Sequence, residues 1–195
     1  MWVNGVHLGE HRGGFGRFRF DVTAVWKPGA ANLIAVRADN TKAVPGTPTG
    51  ETIPLSGDFF VAGGIYRPVA LVTVPDASFD LLDHGGPGIY ARATVAANAA
   101  QVTMLARLRN LGAGPRTLQM LTTIADASGR EVARASQPVT LPTGASEASA
   151  ALSVPSPHLW NGTADPYLYT ITATLTDNGR VIDRVAQPLG IRSFR

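Results

Sequence analysis

Cysteine is absent from the 195 residues, which removes any disulfide framework, thiolate metal site or thiol redox chemistry. The compartment stays open, because exported proteins also exist without cysteine. No apolar run approaches the roughly 20 residues of a membrane-spanning helix. The opening MWVNGVHLGEHRGG has no basic stretch followed by an apolar core of the secretory kind. The 17 basic and 14 acidic side chains, net +3, are scattered, and no Lys/Arg run exists to track a phosphate backbone or an anionic bilayer. Neither nucleic acid nor membrane is therefore expected as a partner. Helical periodicity is almost missing too, and glutamate is sparse: Glu10, Glu51, Glu131 and Glu147 are all there are.

What is present is period-two alternation broken by turn signals, the pattern of an all-β antiparallel chain. Asn4-Gly5 lies between short apolar stretches, and this dipeptide accepts the positive φ pair of a type I′ hairpin. In RFRFDV, Phe18, Phe20 and Val22 alternate with Arg17, Arg19 and Asp21, which predicts a strand. A Pro28-Gly29 turn leads to a predicted strand through Ile34, Val36 and Ala38. Residues 41–57, with three prolines and three glycines, read as a long loop, and another strand is predicted from Ile65 to Val74. PDASFD then reads as a short linker, which places a domain boundary near Pro75. Beyond it, strands are predicted at 90–96, 102–108, 118–124, 132–135, 148–154, 167–175 and 181–185, with turns at Asp126–Gly129 and Asp177–Gly179. About seven strands in roughly 120 residues is the size of an immunoglobulin-like sandwich.

Independent chemistry has little support. Retaining glycoside hydrolysis needs two carboxyls roughly 5 Å apart in contrasting environments, and no pair among the four Glu and ten Asp stands out. His7 and His11 have a spacing that matters only on a helix, which the glycines at 5, 9, 13 and 14 oppose. They read as surface histidines. GGFGRF lacks the Lys-Ser/Thr and the following helix of a phosphate loop. Asn161-Gly162-Thr163 matches a glycosylation acceptor, a common tripeptide. No nucleophile elbow appears, and no metal or cofactor is expected.

Four stretches carry a resemblance. WVNGVHLGEHRGGFGRFRFDVTAVWKPGAANLIAVRADN and GDFFVAGGIYRPVAL resemble the later part and the closing segment of the N-terminal sugar-binding jelly roll of glycoside hydrolase family 2. That family includes β-galactosidases, β-glucuronidases and β-mannosidases. HLWNGTADPYLYTI and GIRSFR are similar to the last strands of the immunoglobulin-like domain that follows. The resemblance implies residues 1–75 as the C-terminal part of a jelly roll and 76–195 as an immunoglobulin-like sandwich. It also implies a parent whose next domain is a TIM barrel carrying two catalytic glutamates, the acid/base one directly after an Asn. No Asn-Glu dipeptide occurs here, so no catalytic residue is expected in this chain, which alone should be inactive. The opening strands of the jelly roll are expected to be missing, leaving an uncovered apolar face and poor solubility.

By the same resemblance, in its β-galactosidase branch, Asp58 would reach into the sugar pocket of the barrel, where a carboxylate accepts hydrogen bonds from neighbouring hydroxyls. Gly63 and Gly64 would let the backbone turn tightly beside it, and Arg67 would tie the strand to a neighbour. Two departures stand out: Pro68 replaces an acidic residue usual after this Arg, and Asn161-Gly162 replaces a more frequent Ser-Pro. The implied partners are a carbohydrate and the barrel of the same parent chain, with a periplasmic or secreted parent compatible. A free-standing carbohydrate-binding or adhesive module is the alternative, but Trp2, Trp26 and Trp160 are too dispersed to promise a stacking row.

Overall fold

The computed structural model describes residues 1–40 and 63–193. The chain divides into two units, Met1–Val72 and Thr73–Arg195, and among the described residues every strand pairing is antiparallel.

In the first unit, β1 (Trp2–Val3), β2 (Val6–His7) and β3 (Ile34–Ala35) form a small sheet in the order β2-β1-β3. The Asn4-Gly5 turn joins Val3 to Val6, with φ of 51° and 85°, the type I′ geometry expected from the dipeptide. Asn4 also serves as a hub. Its Nδ2 donates to the carbonyl of Val25 and to Oδ1 of Asn32, both at 2.8 Å. Its Oδ1 accepts from Leu33 N at 3.0 Å. Asn32 in turn holds the Pro28-Gly29 turn through Lys27 and Ala30.

Three expectations fail within the first 74 residues. Residues 17–22 and 65–74 form no strand, and β3 stops at Ala35. Alternation marks a surface that suits a pleat, but a strand exists only where a neighbour supplies a ladder. Phe18, Val69 and Leu71 are 48%, 72% and 55% exposed, so the apolar faces read from the sequence are present without cover among the described residues.

The second unit holds β4 (Ala77–Phe79), β5 (Ile89–Ala96), β6 (Ala99–Asn110), β7 (Arg116–Ala125), β8 (Glu131–Leu141), β9 (Gly144–Pro155), β10 (Tyr169–Asp177) and β11 (Arg180–Leu189). One sheet runs β11-β10-β7-β8. In the other, β9 pairs with β6 along its whole length, from Ala99 to Asn110. Strands β5 and β4 therefore share the opposite edge of β6 end to end, β5 against Ala99–Ala106 and β4 against Leu108–Asn110.

The inward rows follow the period of two. Val102, Met104, Ala106 and Leu108 of β6 meet Leu118, Met120 and Ile124 of β7 and Ile171, Ala173 and Leu175 of β10, all at or below 2% exposure. Each large side chain so buried contributes roughly 1.5–3 kcal/mol. Among the described residues of the first unit only Val3 is comparably buried.

The seven strands expected after Pro75 are all found, six of them longer than the run that signalled them, while β10 has the expected length but starts and ends two residues later. The eighth, β4, lies in the stretch read as a linker. Its three residues are at most 3% exposed, but three residues between acids are too few to register as alternation.

Candidate functional site

Of the residues that the resemblance singles out, Asp58 lies outside the described residues. Gly63, Gly64 and Arg67 are exposed. At Gly63 a Cβ would stand 2.9 Å from Nδ2 of Asn40, closer than real Cβ contacts, so glycine lets the Asn40 amide lie against the main chain. Gly64 has φ +82° in open space, a backbone conformation that favours glycine for its own sake.

The motifs near the C-terminus build one assembly at an end of the sandwich. Tyr169 begins β10, and its hydroxyl accepts from His158 N at 2.8 Å. The His158 ring stacks on Tyr167 with centroids 3.9 Å apart, and its Nε2 lies 2.7 Å from Oδ2 of Asp165. Tyr167 meets Tyr169 edge-on and accepts from Ala127 N at 3.2 Å. Trp160 N donates to the carbonyl of Ile191 at 2.8 Å, and the Arg192 guanidinium lies 5.4 Å from the Trp160 ring centre. Gly190 is the floor of this contact, since a Cβ there would touch Leu168 and Trp160 at 3.4 and 3.6 Å. Burial raises the Tyr169 hydroxyl above its ordinary value. In the adjoining turn, Asp126 accepts from Ser128 Oγ and from Arg130, which hold its carboxyl at about 2.

A second polar network escaped sequence reasoning. Between Phe79 and Ile89 the chain leaves the edge of β6 and returns to it. Both ends are pinned at one residue: Asp80 N donates to the Arg107 carbonyl and Arg107 N to that of Gly88, each at 2.8 Å. Above this neck, the Arg107 side chain pairs with Glu147 of β9 and lies 3.9 Å from Asp83, which accepts from the Tyr90 hydroxyl at 2.7 Å. Partial burial, then the bond to Asp83, raise the Tyr90 hydroxyl. Asp83, Arg107 and Glu147, with Asp80, Leu82, Ala145 and Ser146, line an open cleft of about 270 Å³. The only local sequence signal was the run of glycines at 85, 86 and 88.

Neither assembly resembles a hydrolytic centre. Asp83 and Glu147 both face Arg107, so their charges are balanced by a guanidinium instead of being set apart as acid and base. Among the described residues no group of three or more His, Asp or Glu is placed to hold a metal ion. His7 packs at 5.0 Å from the Trp2 ring and His11 stacks on Phe18 at 4.4 Å, so the two histidines serve separate aromatic contacts.

The family model described as "Glycosyl hydrolases family 2" matches residues 87–192, more than half of the chain. The chain belongs to glycosyl hydrolase family 2. A β-glucuronidase of Bacteroides fragilis is 36% identical over the entire chain, which covers 27% of that protein. A β-glucuronidase of Formosa agariphila is 32% identical, with 20% of its length covered. A β-galactosidase of Bacteroides ovatus is 29% identical, with 21% covered. Among solved structures, the β-glucuronidase of Bacteroides uniformis superposes with a TM-score of 0.88 at 29% identity, over all of this chain and 23% of that one. A family 2 member from Bacteroides cellulosilyticus does so at 0.77 and 30%, over 98% of this chain and 24% of that one. The chain thus spans a fifth to under a third of these family 2 proteins.

Proposed function

We propose that this chain is the non-catalytic β portion of a larger retaining β-glycosidase, supporting and partly lining the active site of a TIM barrel elsewhere in the parent. The observation that carries the reading is the match of the whole chain to only 27% of a β-glucuronidase at 36% identity. It is supported by the lack of an acid/base carboxyl pair among the described residues. The C-terminal assembly around Trp160 and Tyr169 ties the last described residues to the sandwich, which suits a rigid seat for a following domain. The alternative of a carbohydrate-binding module is less well supported: Trp2, Trp26 and Trp160 are each partly buried and offer no exposed row for sugar stacking.

In this reading Asp58 supplies a carboxylate to the sugar pocket, Gly63 and Gly64 shape the backbone beside it, and Arg67 anchors the segment that follows. The sugar is a β-galactoside or a β-glucuronide, since relatives named for both match along the full chain. The test is Asp58→Ala in the protein at its full natural length, assayed on nitrophenyl β-galactoside and β-glucuronide. Loss of a charged hydrogen bond lowers kcat/KM roughly 10- to 100-fold on the true substrate. Unchanged turnover on both removes Asp58 from the site.

A further inference from the structure

Three Asn-Gly steps occur in the chain, at Asn4, Asn161 and Asn178. Two of them build the same turn. Asn4-Gly5 has φ of 51° and 85°, Asn178-Gly179 has 48° and 80°, and each closes an antiparallel hairpin just beyond its last register pair, Val3 with Val6 and Asp177 with Arg180. Their side chains differ completely. The Asn4 amide is partly buried and makes three hydrogen bonds, to Val25, Asn32 and Leu33. Asn178 is exposed, and its Nδ2 donates only to the adjacent Asp177 Oδ1 at 3.1 Å. The third step differs in its main chain: the Asn161 carbonyl, part of the peptide that joins it to Gly162, accepts from Asp165 N at 3.2 Å.

We propose that Asn178 is a covalent modification site, the position at which this protein spontaneously deamidates, while the chemically identical step at Asn4 is protected. Glycine presents an unhindered main-chain nitrogen. The Gly179 nitrogen loses its proton to base and attacks Cγ of Asn178, the new C–N bond forms as Cγ–Nδ2 breaks, and ammonia leaves. Water then opens the cyclic imide at either carbonyl, giving aspartate or isoaspartate. The balance is one water consumed and one ammonia released. The attack requires the side chain to swing over its own following peptide. Asn178 gives up one exposed bond to Asp177, whereas Asn4 must break three bonds and Asn161 must unpin its peptide from Asp165. The product adds a carboxylate beside Asp177, which pairs with Arg116 at 2.7 Å, and the isoaspartyl form lengthens the backbone of a two-residue turn that tolerates no extra atom.

The experiment incubates the folded protein at full natural length, at mildly alkaline pH, and follows each Asn-Gly peptide by mass spectrometry with isoaspartate-specific labelling. Conversion at Asn178 is expected to lead, and Asn4 to lag it by about a hundredfold, the factor set by three net hydrogen bonds. In urea all three steps should convert at closely similar rates. Asn32→Ala, which removes one acceptor of the Asn4 amide, should speed conversion at Asn4 by about fivefold. Equal rates at Asn4 and Asn178 in the folded protein, a lead by Asn161, or no conversion at Asn178 while the urea-unfolded chain converts would each overturn the assignment.

Discussion

The backbone N–H of Phe79 donates to Oδ2 of Asp183 at 2.8 Å, joining residues 104 apart in the chain. Phe79 lies in β4 at an edge of one sheet and Asp183 in β11 at an edge of the other, so a single carboxylate closes the gap between the two. Its second oxygen accepts from Arg184 N at 2.8 Å. Removing the carboxylate leaves a partly buried N–H without an acceptor, at a cost of about 1–3 kcal/mol. Asp183→Ala should therefore lower the urea midpoint of the second unit by that equivalent with an unchanged m-value. A midpoint equal to that of the parent would show that water replaces the carboxylate at no cost.

The neck at Arg107 depends on Gly88. Its φ is +81°, and a Cβ there would stand 2.9 Å from the Asp80 carbonyl and 3.0 Å from Phe79 Cβ. Gly179 has nearly the same φ, +80°, but open space around it. Gly179→Ala should thus cost about 1–2 kcal/mol, the price of the left-handed backbone alone. Gly88→Ala should cost roughly 3 kcal/mol or more, because backbone atoms must also move. Equal melting shifts for the two variants would contradict this.

Thr122 points from β7 into the core at 0% exposure, and its Oγ1 has no hydrogen-bond partner among the described residues. Valine has the same shape without the hydroxyl. Thr122→Val is expected to stabilise the sandwich by about 1 kcal/mol or more, seen as a raised melting temperature. A lowered one would mean that the hydroxyl is satisfied in solution.

Asp126 governs part of the acid limb. Its carboxyl is lowered from the ordinary carboxylate range to about 2, first by Ser128 Oγ and then by Arg130. A depressed carboxyl contributes stability that is fully present above its unfolded value and is lost as the pH falls through the folded one. Asp126→Asn should flatten the decline in stability between about pH 4 and 2, measured by thermal melts across that range. A parallel decline in both proteins would remove Asp126 from the account. Its partner Arg130 is largely exposed, so salt should weaken that part of the effect.

The first unit exposes Phe15, Phe18, Leu33, Val69 and Leu71 at 48–72%, with little buried core to offset them. The 195-residue chain expressed alone should associate on size exclusion, and truncation to residues 73–195 should sharpen the profile. A monomeric peak for the longer chain would show that its apolar face is covered.

How much was legible depends on the range of the interaction. The hairpins at Asn4-Gly5 and Asn178-Gly179 follow from dipeptides, because positive φ is a local steric matter. The strands β5 to β11 follow from alternation, because one face of each is buried. β4 and the Arg107–Asp83–Glu147 network were hidden: Arg107 and Glu147 are 40 residues apart, and nothing local in either announces the other. The strands expected at 17–22 and 65–74 erred in the opposite sense, since their apolar pattern is real but no described neighbour completes a ladder. For the site, the sequence pointed to Asp58, Gly63, Gly64 and Arg67 only through resemblance.

By itself, the sequence determined the all-β class, the turn positions and which side of each sandwich strand faces inward, since these rest on backbone sterics and a period of two. Only the tertiary structure decided how each polar group is used. Asn4 and Asn178 occupy the same turn, yet one is locked by Val25, Asn32 and Leu33 while the other faces water. A hydrogen-bond partner is a matter of position in space, and folding brings those positions together from parts of the chain that carry no local record of one another.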